Sequence, residues 1–265
     1  MRIPSFHVDA FAKQPFGGNP AAVCLLDSWL DEGLLRRVAA ENNLSATAFV
    51  VTGEEGYELR WFTPVCEIKL CGHATLAAAH LLLSAQPSQP DSVTFKTRFR
   101  GFLKVKRVGN GLVMDFPAMP PANAKFTPAT LASALSLKSQ PAEVLEVNDT
   151  YIVVIDSLKG LKELRPNLAV LQDLHPFVVA VTAPGTDDVD FVSRYFAPSY
   201  GIPEDPVTGS VHCALTPYWA ARLSKAKLHA RQLSERGGEL WCELAGDRVL
   251  LEGNAVITLE GVLTI

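Results

Sequence analysis

Two segments of this chain, each opened by a glycine, would be apolar on almost every side as helices. Within residues 74–83 the polar side chains are Thr75 and His80. A helix without a polar face has to be buried all round. Strand-like stretches flank both segments, so the simplest arrangement is a sheet curled around each helix. The two glycines, Gly72 and Gly209, lie about half a chain length apart, which indicates an internal repeat.

The rest of the chain predicts many strands and few helices. Helical spacing of apolar residues predicts one amphipathic helix over residues 30–41. The pair Asn110-Gly111 predicts a hairpin turn, because both residue types tolerate positive φ. Strands are predicted over residues 6–11, 21–26, 57–62, 92–97, 102–109, 112–116, 143–147, 151–155, 177–182, 191–197, 228–233, 240–244, 249–251 and 256–263. Strands and helices do not alternate regularly, so an α+β fold is favoured over a doubly wound parallel sheet.

The boundary between two domains is predicted at a proline-rich stretch. Residues 117–128 contain four prolines and show little periodicity, which is typical of a linker. The expected domains are therefore residues 1–117 and residues 118–265, each a curled, mostly antiparallel sheet around one buried helix. The final strands of the chain could also pack back on the first domain.

Composition excludes several classes of function. Hydrophobic residues make up 48% of the chain, enough for a sizeable core, and the net charge is −4 without a dense run of Lys or Arg. Nucleic-acid binding is therefore not expected, and no apolar run is long enough to span a membrane. Five scattered cysteines without a CxxC pattern, and an N-terminus without a signal peptide, predict reduced thiols in the cytoplasm. No nucleotide-binding motif occurs.

The glycine-led helix starts carry the chemistry that the sequence offers. The first amides of a helix lack intrahelical partners and lie at the positive end of the helix dipole, so such a start binds anions. Two starts facing one cleft would hold a carboxylate and stabilise an enolate beside it. Side chains able to transfer protons are His73 at the first start and the pair Glu204-Asp205 with Ser210 near the second.

Five ordered motifs connect these residues to a known family. The chain resembles the phenazine biosynthesis-like (PhzF) family in Gly17-Gly18-Asn19-Pro20-Ala21, Asn43-Leu44-Ser45-x-Thr47-Ala48-Phe49, Arg60-Trp61-Phe62-Thr63-Pro64, Leu70-Cys71-Gly72-His73-Ala74-Thr75 and Glu204-Asp205-Pro206-Val207-Thr208-Gly209-Ser210. The resemblance implies the diaminopimelate-epimerase fold, with two similar domains and the active site between them. It also implies an isomerase that moves a proton in a small carboxylic acid without a metal or organic cofactor. A homodimer acting in a biosynthetic process is a further implication.

The same resemblance assigns roles to residues. The implied catalytic positions are Ala46, His73, Asp205 and Ser210, and the implied substrate-binding positions are Asn19, Gly72, Ala74, Thr75, Thr208 and Gly209. The family's acid/base is a glutamate where this chain has Ala46, which has no titratable group. Three interpretations stay open: an engineered change, a natural variant with altered or lost chemistry, or rescue by a nearby group. The groups considered for rescue are Glu41, Asp9, His73 and Asp205.

Each of these residues also has a structural interpretation. His73 could be a satisfied core histidine, Asp205 could begin a turn, and Ser210 could only cap its helix. Cys71 fits a small buried hydrophobe better than a nucleophile. Racemisation by two cysteines is disfavoured because the second helix start has Thr208 where such enzymes have a cysteine. The alternative function is a non-catalytic protein that binds a small carboxylate on the same scaffold, and Ala46 favours it.

Overall fold

The chain folds into two compact units. A computed structural model describes residues 1–53, 56–84 and 91–265. One unit comprises Met1–Asp115 together with Leu251–Ile265, and the other comprises Phe116–Leu250. The C-terminal segment belongs to the first unit because the last strand of the chain pairs with the first strand. Their antiparallel register runs from Arg2 opposite Thr264 to Ala10 opposite Ala255.

In its described residues the first unit contains two helices and ten strands, two of which (β17 and β18) come from the end of the chain. Its elements in chain order are β1 (Arg2–Ala10), β2 (Asn19–Leu26), α1 (Glu32–Asn42), β3 (Ala46–Gly53), β4 (Gly56–Phe62), β5 (Glu67–Ile68), α2 (Gly72–Ser84), β6 (Ser92–Thr97), β7 (Gly101–Val108) and β8 (Gly111–Pro117), whose end passes into the second unit.

The second unit has four helices. Its elements are β9 (Ala122–Asn123), α3 (Leu131–Ala134), β10 (Glu143–Val147), β11 (Thr150–Val154), α4 (Leu158–Glu163), α5 (Leu168–Gln172), β12 (Val178–Pro184), β13 (Phe191–Ala197), β14 (Ile202–Asp205), α6 (Gly209–Leu223), β15 (Lys227–Gln232) and β16 (Gly238–Ala245). The chain returns to the first unit through β17 (Arg248–Gly253) and ends with β18 (Ala255–Thr264).

The strand pairings of the two units follow the same order. In the first unit β1 pairs antiparallel with β2, β2 parallel with β3, β3 antiparallel with β4, β4 parallel with β6 and β6 antiparallel with β7. In the second unit β10, β11, β12, β13, β15 and β16 repeat that alternation. A buried helix precedes the last parallel partner in both, α2 before β6 and α6 before β15. The internal repeat and the α+β class are confirmed.

The two glycine-led helices form the centres of their units. Helix α2 is buried at His73 and at every residue from Ala74 to Ala79, and it packs against β1, β2, β3, β6 and β18. Helix α6 is buried at most positions up to Trp219, whose indole stacks on Phe191 of β13. Both helices need this cover because neither has a polar face.

Several local predictions differ from the structure in detail. The hairpin is present, but its turn lies one residue earlier, because Val108 pairs with Gly111 and Gly109 takes the positive φ of 57°. Strand β3 was not predicted, since its small residues Ala46 and Ala48 gave no alternating pattern. Helices α3, α4 and α5 are four to six residues long, too short for a periodic signal.

Among the described residues no helix has both the length and the apolar character needed to cross a membrane.

Helix α1 begins two residues later than predicted because Asp31 caps it. The Asp31 carboxylate accepts a hydrogen bond from the amide of Leu34, which satisfies one of the first amides of the helix.

The packing of α2 leads to a stability prediction. Leu76 on α2 is 0% exposed, whereas Leu259 on β18 is 47% exposed. Truncating a buried leucine leaves a cavity and costs about 2–5 kcal/mol. We expect Leu76→Ala to lower the free energy of unfolding in urea by that amount, and Leu259→Ala by less than about 1 kcal/mol. Equal losses would contradict the central position of α2.

Candidate active site

The start of α2 presents backbone donors beside a pair of side chains. The carbonyl oxygen of Cys71 accepts hydrogen bonds from the Thr75 amide at 3.1 Å and from the Thr75 hydroxyl at 2.6 Å. The amides of Gly72, His73 and Ala74 belong to the first turn and have no intrahelical acceptor. Helix geometry therefore directs these three donors, and the positive end of the helix dipole, away from the helix at its start, which is where an anion binds to a helix.

His73 is hydrogen-bonded to Ser45, the residue that directly precedes β3. Its Nε2 lies 3.1 Å from the hydroxyl of Ser45, and that hydroxyl lies 2.6 Å from Oδ1 of Asn19 and 2.9 Å from the carbonyl oxygen of Pro20. A hydroxyl donates only once, and its single proton goes to one of these two oxygen acceptors. His73 must then donate from Nε2 to Ser45, which leaves the lone pair on Nδ1.

The imidazole of His73 is neutral over a wide pH range. Burial lowers its pKa to about 3 because desolvation disfavours the charged form. Its Nδ1 lies 3.4 Å from Sγ of Cys71, a thiol with 7% of its surface exposed. The same sulfur lies 3.8 Å from Nε2, so the thiol packs against the imidazole ring near both nitrogens. The start of α2 therefore holds a neutral imidazole, a group suited to proton transfer.

Ala46 lies on the face of β3 that is turned toward α2. Phe49 and Val51 pack into a cluster with residues of α1, so the alternate residues Ala46 and Ala48 point to the opposite face. Helix α2 packs against β3, and Ala46 is completely buried. Ala46 is the position that the family resemblance assigns to a glutamate. It directly follows Ser45 and lies on the side of β3 that faces α2.

The other acids considered for rescue lie in different surroundings. Asp9 is buried in β1, and its carboxylate accepts a hydrogen bond from the amide of Phe16 at 2.7 Å in the following loop. Glu41 is exposed on the last turn of α1. His73, by contrast, contacts the hydroxyl of Ser45, the residue that precedes Ala46.

The start of α6 is organised by a buried amide side chain. Oδ2 of Asp205 accepts a hydrogen bond from the hydroxyl of Thr208 at 2.5 Å. Gln232 donates from Nε2 to that hydroxyl at 3.1 Å and to the Asp205 carbonyl at 2.7 Å, and its Oε1 accepts from the Thr208 amide at 2.9 Å. These bonds force the Thr208 hydroxyl to donate to Asp205. Asp205 is thus an oriented carboxylate.

Gly209 and Ser210 are the first residues of α6. Gly209 is buried, whereas Ser210 is exposed. Thr208 occupies the N-cap position, so the interpretation of Ser210 as only a cap of its helix is wrong. Its hydroxyl is accessible beside the first-turn amides, where a ligand could contact it.

Gln232 was not singled out from the sequence, although a signal was present. Leu228, Ala230 and Gln232 alternate along β15 and are all buried. A glutamine in line with inward-facing apolar residues indicates a buried polar group that needs partners.

Tyr195, which pairs with Asp205 in the sheet, was also missed. Burial and the charge of Asp205 raise the pKa of this tyrosine, so its hydroxyl stays protonated.

Within the described ranges no group of three or more His, Cys, Asp or Glu side chains is arranged to hold a metal ion. Glu67, at the start of β5, forms an ion pair with Arg60, with Oε1 2.7 Å from Nε.

Comparisons with known proteins cover almost the whole chain. A family model described as phenazine biosynthesis-like protein matches residues 8–261. An uncharacterized isomerase of Pseudomonas aeruginosa is 48% identical over 98% of both chains. The human phenazine biosynthesis-like domain-containing protein is 38% identical over the full length of both. A PhzF family crystal structure from Enterococcus faecalis matches with a TM-score of 0.92 at 40% identity and full coverage of both chains.

A more distant structure shows the fold alone. A hydroxyproline epimerase from Agrobacterium vitis matches 99% of this chain and 92% of its own, with a TM-score of 0.64 at 10% identity. The predicted epimerase-like architecture is therefore confirmed.

The neutral state of the buried histidines leads to a pH prediction. Between about pH 3 and 6.5 an unfolded chain binds a proton at His73 that the folded chain does not. The free energy of unfolding therefore falls as the pH is lowered through this window, by up to about 1.4 kcal/mol per pH unit. We expect His73→Asn to remove that contribution to the slope, measured by urea unfolding at several pH values.

His212 on α6 supplies a parallel case. Burial lowers its pKa to about 4, so His212→Asn should remove a similar contribution between about pH 4 and 6.5. A slope unchanged by His73→Asn, together with a His73 side chain that titrates near pH 6.5 by NMR, would contradict the neutral buried imidazole.

Proposed function

Because the chain belongs to the phenazine biosynthesis-like (PhzC-PhzF) family, we propose that it is an isomerase that moves a proton within a small carboxylic acid. The reaction uses side chains and backbone amides, without a metal or an organic cofactor. The observation that carries this proposal is the start of α2, where first-turn amides lie beside the neutral imidazole of His73. An anion site next to a proton acceptor is what such a reaction needs.

Relatives support the reaction class. Curated relatives from Pseudomonas aeruginosa and Halalkalibacterium halodurans, 44% to 49% identical, carry the name uncharacterized isomerase. A solved relative of the same fold is an epimerase with bound trans-4-hydroxy-L-proline. The first name gives the reaction class, and the second adds a small carboxylic acid as the ligand of that epimerase.

The substrate's carboxylate is held by backbone amides in this proposal. The amides of Gly72 and Gly209 open α2 and α6, and glycine allows a ligand to approach the backbone closely. When a proton leaves the carbon next to the carboxylate, negative charge develops on its oxygens. Donors that are already oriented stabilise that charge without reorganisation. Ala74 contributes to binding through its first-turn amide. Thr75 and Thr208 shape the two helix starts, since their amides and hydroxyls already donate within the protein.

In this proposal the side chains at the same helix starts transfer the proton. His73 offers a lone pair on Nδ1, Asp205 is oriented by Thr208, and Ser210 is accessible for a hydrogen bond to the substrate. Asn19 orients Ser45 and through it His73. Without a carboxylate at position 46, we expect turnover about 10²–10⁴-fold below that of a chain with the glutamate.

The second candidate function is a non-catalytic protein that binds a small carboxylate. Ala46 favours it, because the position is fully buried and has no group that titrates. Both candidate functions use the same helix starts to bind the acid. The isomerase and the binding protein differ in whether the bound acid exchanges a proton with solvent.

Further expectations accompany both candidates. The homodimer, the cytoplasmic location, the biosynthetic role and the absence of nucleic-acid or membrane partners remain proposals. Dimerisation is tested directly by light scattering of the purified chain.

Restoring the carboxylate tests the proposed function. We expect Ala46→Glu to raise the incorporation of deuterium from D₂O into an acid of the right shape by about 10²–10⁴-fold. Ala46→Gln is the matched control, since it has the same size without a titratable group. The measurement is NMR of a panel of cyclic and open-chain hydroxy- and amino-carboxylates. Exchange absent from Ala46→Glu across the panel, with thermal stabilisation by an acid retained, would favour the binding protein.

A further inference from the structure

A short sequence pattern precedes each of the two buried helices. Arg60-Trp61-Phe62-Thr63-Pro64 leads toward α2, and Arg194-Tyr195-Phe196-Ala197-Pro198 leads toward α6. Both runs consist of an arginine, an aromatic residue, a phenylalanine, a small residue and a proline. A glutamate follows in each case, Glu67 or Glu204, five residues before the glycine that opens the helix. The internal repeat therefore includes the residues that lead into the two helix starts.

In the first unit the arginine and the glutamate of this pattern form a bidentate ion pair. Nε and Nη2 of Arg60 each donate to one carboxylate oxygen of Glu67 at 2.7 Å. The guanidinium lies over the ring of Phe62, with Cζ 5.1 Å from the ring centroid. Nη2 also donates to Glu32 of α1 at 3.2 Å, and Arg98 adds a second contact to Glu67 at 2.9 Å. The ion pair thus joins β4, β5 and α1.

The second unit repeats this geometry. Nε and Nη2 of Arg194 donate to the two carboxylate oxygens of Glu204 at 2.7 and 2.8 Å. The guanidinium lies over the ring of Phe196, with Cζ 5.0 Å from the ring centroid. Nη1 donates to the carbonyl oxygen of Leu164, at the end of α4, at 3.1 Å. In each unit the arginine therefore joins its own strand to the short strand before the buried helix and to a further helix.

The backbone register around the two ion pairs is also the same. In both units the residue after the arginine pairs with the residue after the glutamate, Trp61 with Ile68 and Tyr195 with Asp205. Successive side chains of a strand point to opposite faces. When Glu204 is held by its arginine on one face, the next side chain, Asp205, is therefore directed to the other face. The ion pair thus sets the direction of the Asp205 carboxylate.

The two short strands have few other restraints. Strand β5 has two residues and β14 has four, so few backbone pairs hold them in the sheet. Exposed ion pairs contribute little to stability, but a bidentate arginine–carboxylate pair has a fixed geometry. The four side chains are only 9% to 23% exposed. We therefore expect these ion pairs to act mainly on the position of the segments that follow them.

We propose that the Arg60–Glu67 and Arg194–Glu204 ion pairs are positioning residues of the proposed active site. The first pair fixes the segment that leads into α2 and so places the first-turn amides of that helix. The second pair fixes Asp205 and the segment that leads into α6. This inference rests on the proposed function, because the four residues act through groups that bind the acid or transfer its proton. A misplacement of such groups by about 1 Å costs up to about 100-fold in rate.

Amide hydrogen exchange tests the positioning without any ligand. Glu67→Gln and Glu204→Gln keep the size of the side chain and remove its charge. The Thr75 amide closes the first turn of α2, and the Thr208 amide is held by a buried side chain at the start of α6. We expect Glu67→Gln to speed the exchange of the Thr75 amide at least about tenfold, and Glu204→Gln that of the Thr208 amide, because the segment before each helix is released.

Two glutamates outside these segments provide matched controls. Glu32 contacts the same Arg60 from α1, so Glu32→Gln removes one of its bonds and leaves the bidentate pair intact. Glu239 forms an ion pair between β15 and β16, and its side chain is 24% exposed, close to the 23% of Glu204. We expect Glu32→Gln and Glu239→Gln to leave both amide exchange rates within about twofold. Far-UV circular dichroism and urea unfolding establish that each variant is folded.

Kinetics then distinguish positioning from a general loss of structure. The assay is deuterium incorporation in the Ala46→Glu chain, with the acid of the panel that this chain exchanges fastest. We expect Glu67→Gln to raise KM at least about tenfold, because the displaced amides of α2 bind the carboxylate less tightly. We expect Glu204→Gln to lower kcat at least about tenfold with KM within about threefold, because Asp205 acts in proton transfer.

Milder variants of the arginines give a second test. Arg60→Lys and Arg194→Lys keep the positive charge but lose the bidentate geometry. We expect each to produce the same kind of change as the glutamine variant of its partner, KM for Arg60→Lys and kcat for Arg194→Lys, by a smaller factor. Four variants that behave like Glu32→Gln and Glu239→Gln, in amide exchange or in kinetics, would overturn the inference.

The same measurements separate this inference from the proposed function. If Ala46→Glu exchanges no acid while the Thr75 and Thr208 amides lose protection in the matching variants, the proposed isomerase fails and the anchoring of the helix starts stands. If Ala46→Glu is active and both glutamine variants behave like their controls, the isomerase stands and the positioning role of the two ion pairs fails.

Discussion

The absence of a polar face on α2 and α6 is the constraint on which the rest of the structure depends. A helix of this kind has to be covered on every side, and in each unit curved strands provide the cover. The backbone groups at the start of such a helix still need partners, because its first amides have none within the helix. Glycine at that point leaves room for a ligand. The same packing that buries each helix thus makes its first turn the place for an anion.

The polar side chains of the site are arranged around those first turns by short hydrogen-bond networks. At α2 the chain Asn19, Ser45, His73 fixes one tautomer of a neutral imidazole. At α6 the buried Gln232 fixes the hydroxyl of Thr208, and through it the carboxylate of Asp205. The two networks differ in chemistry, one ending in a base that is uncharged and the other in an oriented acid group.

Much of the fold could be predicted from the sequence, because its strongest signals are local and periodic. The apolar helices and most long strands follow from periodicity, and the repeat follows from the spacing of Gly72 and Gly209. Strand β3 was missed because small residues such as Ala46 and Ala48 form no alternating pattern, and three helices were missed because they are short. The position of the turn at Gly109 depends on strand register, which only pairing with the neighbouring strand sets.

The site itself was predictable in its residue types and less so in its contacts. His73, Asp205 and Ala46 were identified from motifs, but Gln232 lies 27 residues after Asp205 and is brought to it only by the sheet. The contact between Ser45 and Nε2 of His73 joins residues 28 positions apart, and only the three-dimensional fold shows it. Long-range hydrogen bonds of this kind leave little trace in one sequence.

The central proposal is that the first-turn amides of α2 hold a small carboxylate beside the neutral imidazole of His73. The most direct measurement is a ¹⁵N-resolved NMR titration of the amides of Gly72 and His73, with whichever small cyclic acid stabilises the protein most against heat. The account predicts that both signals shift and that both yield the same dissociation constant. It is contradicted if the acid binds while these amides stay unchanged.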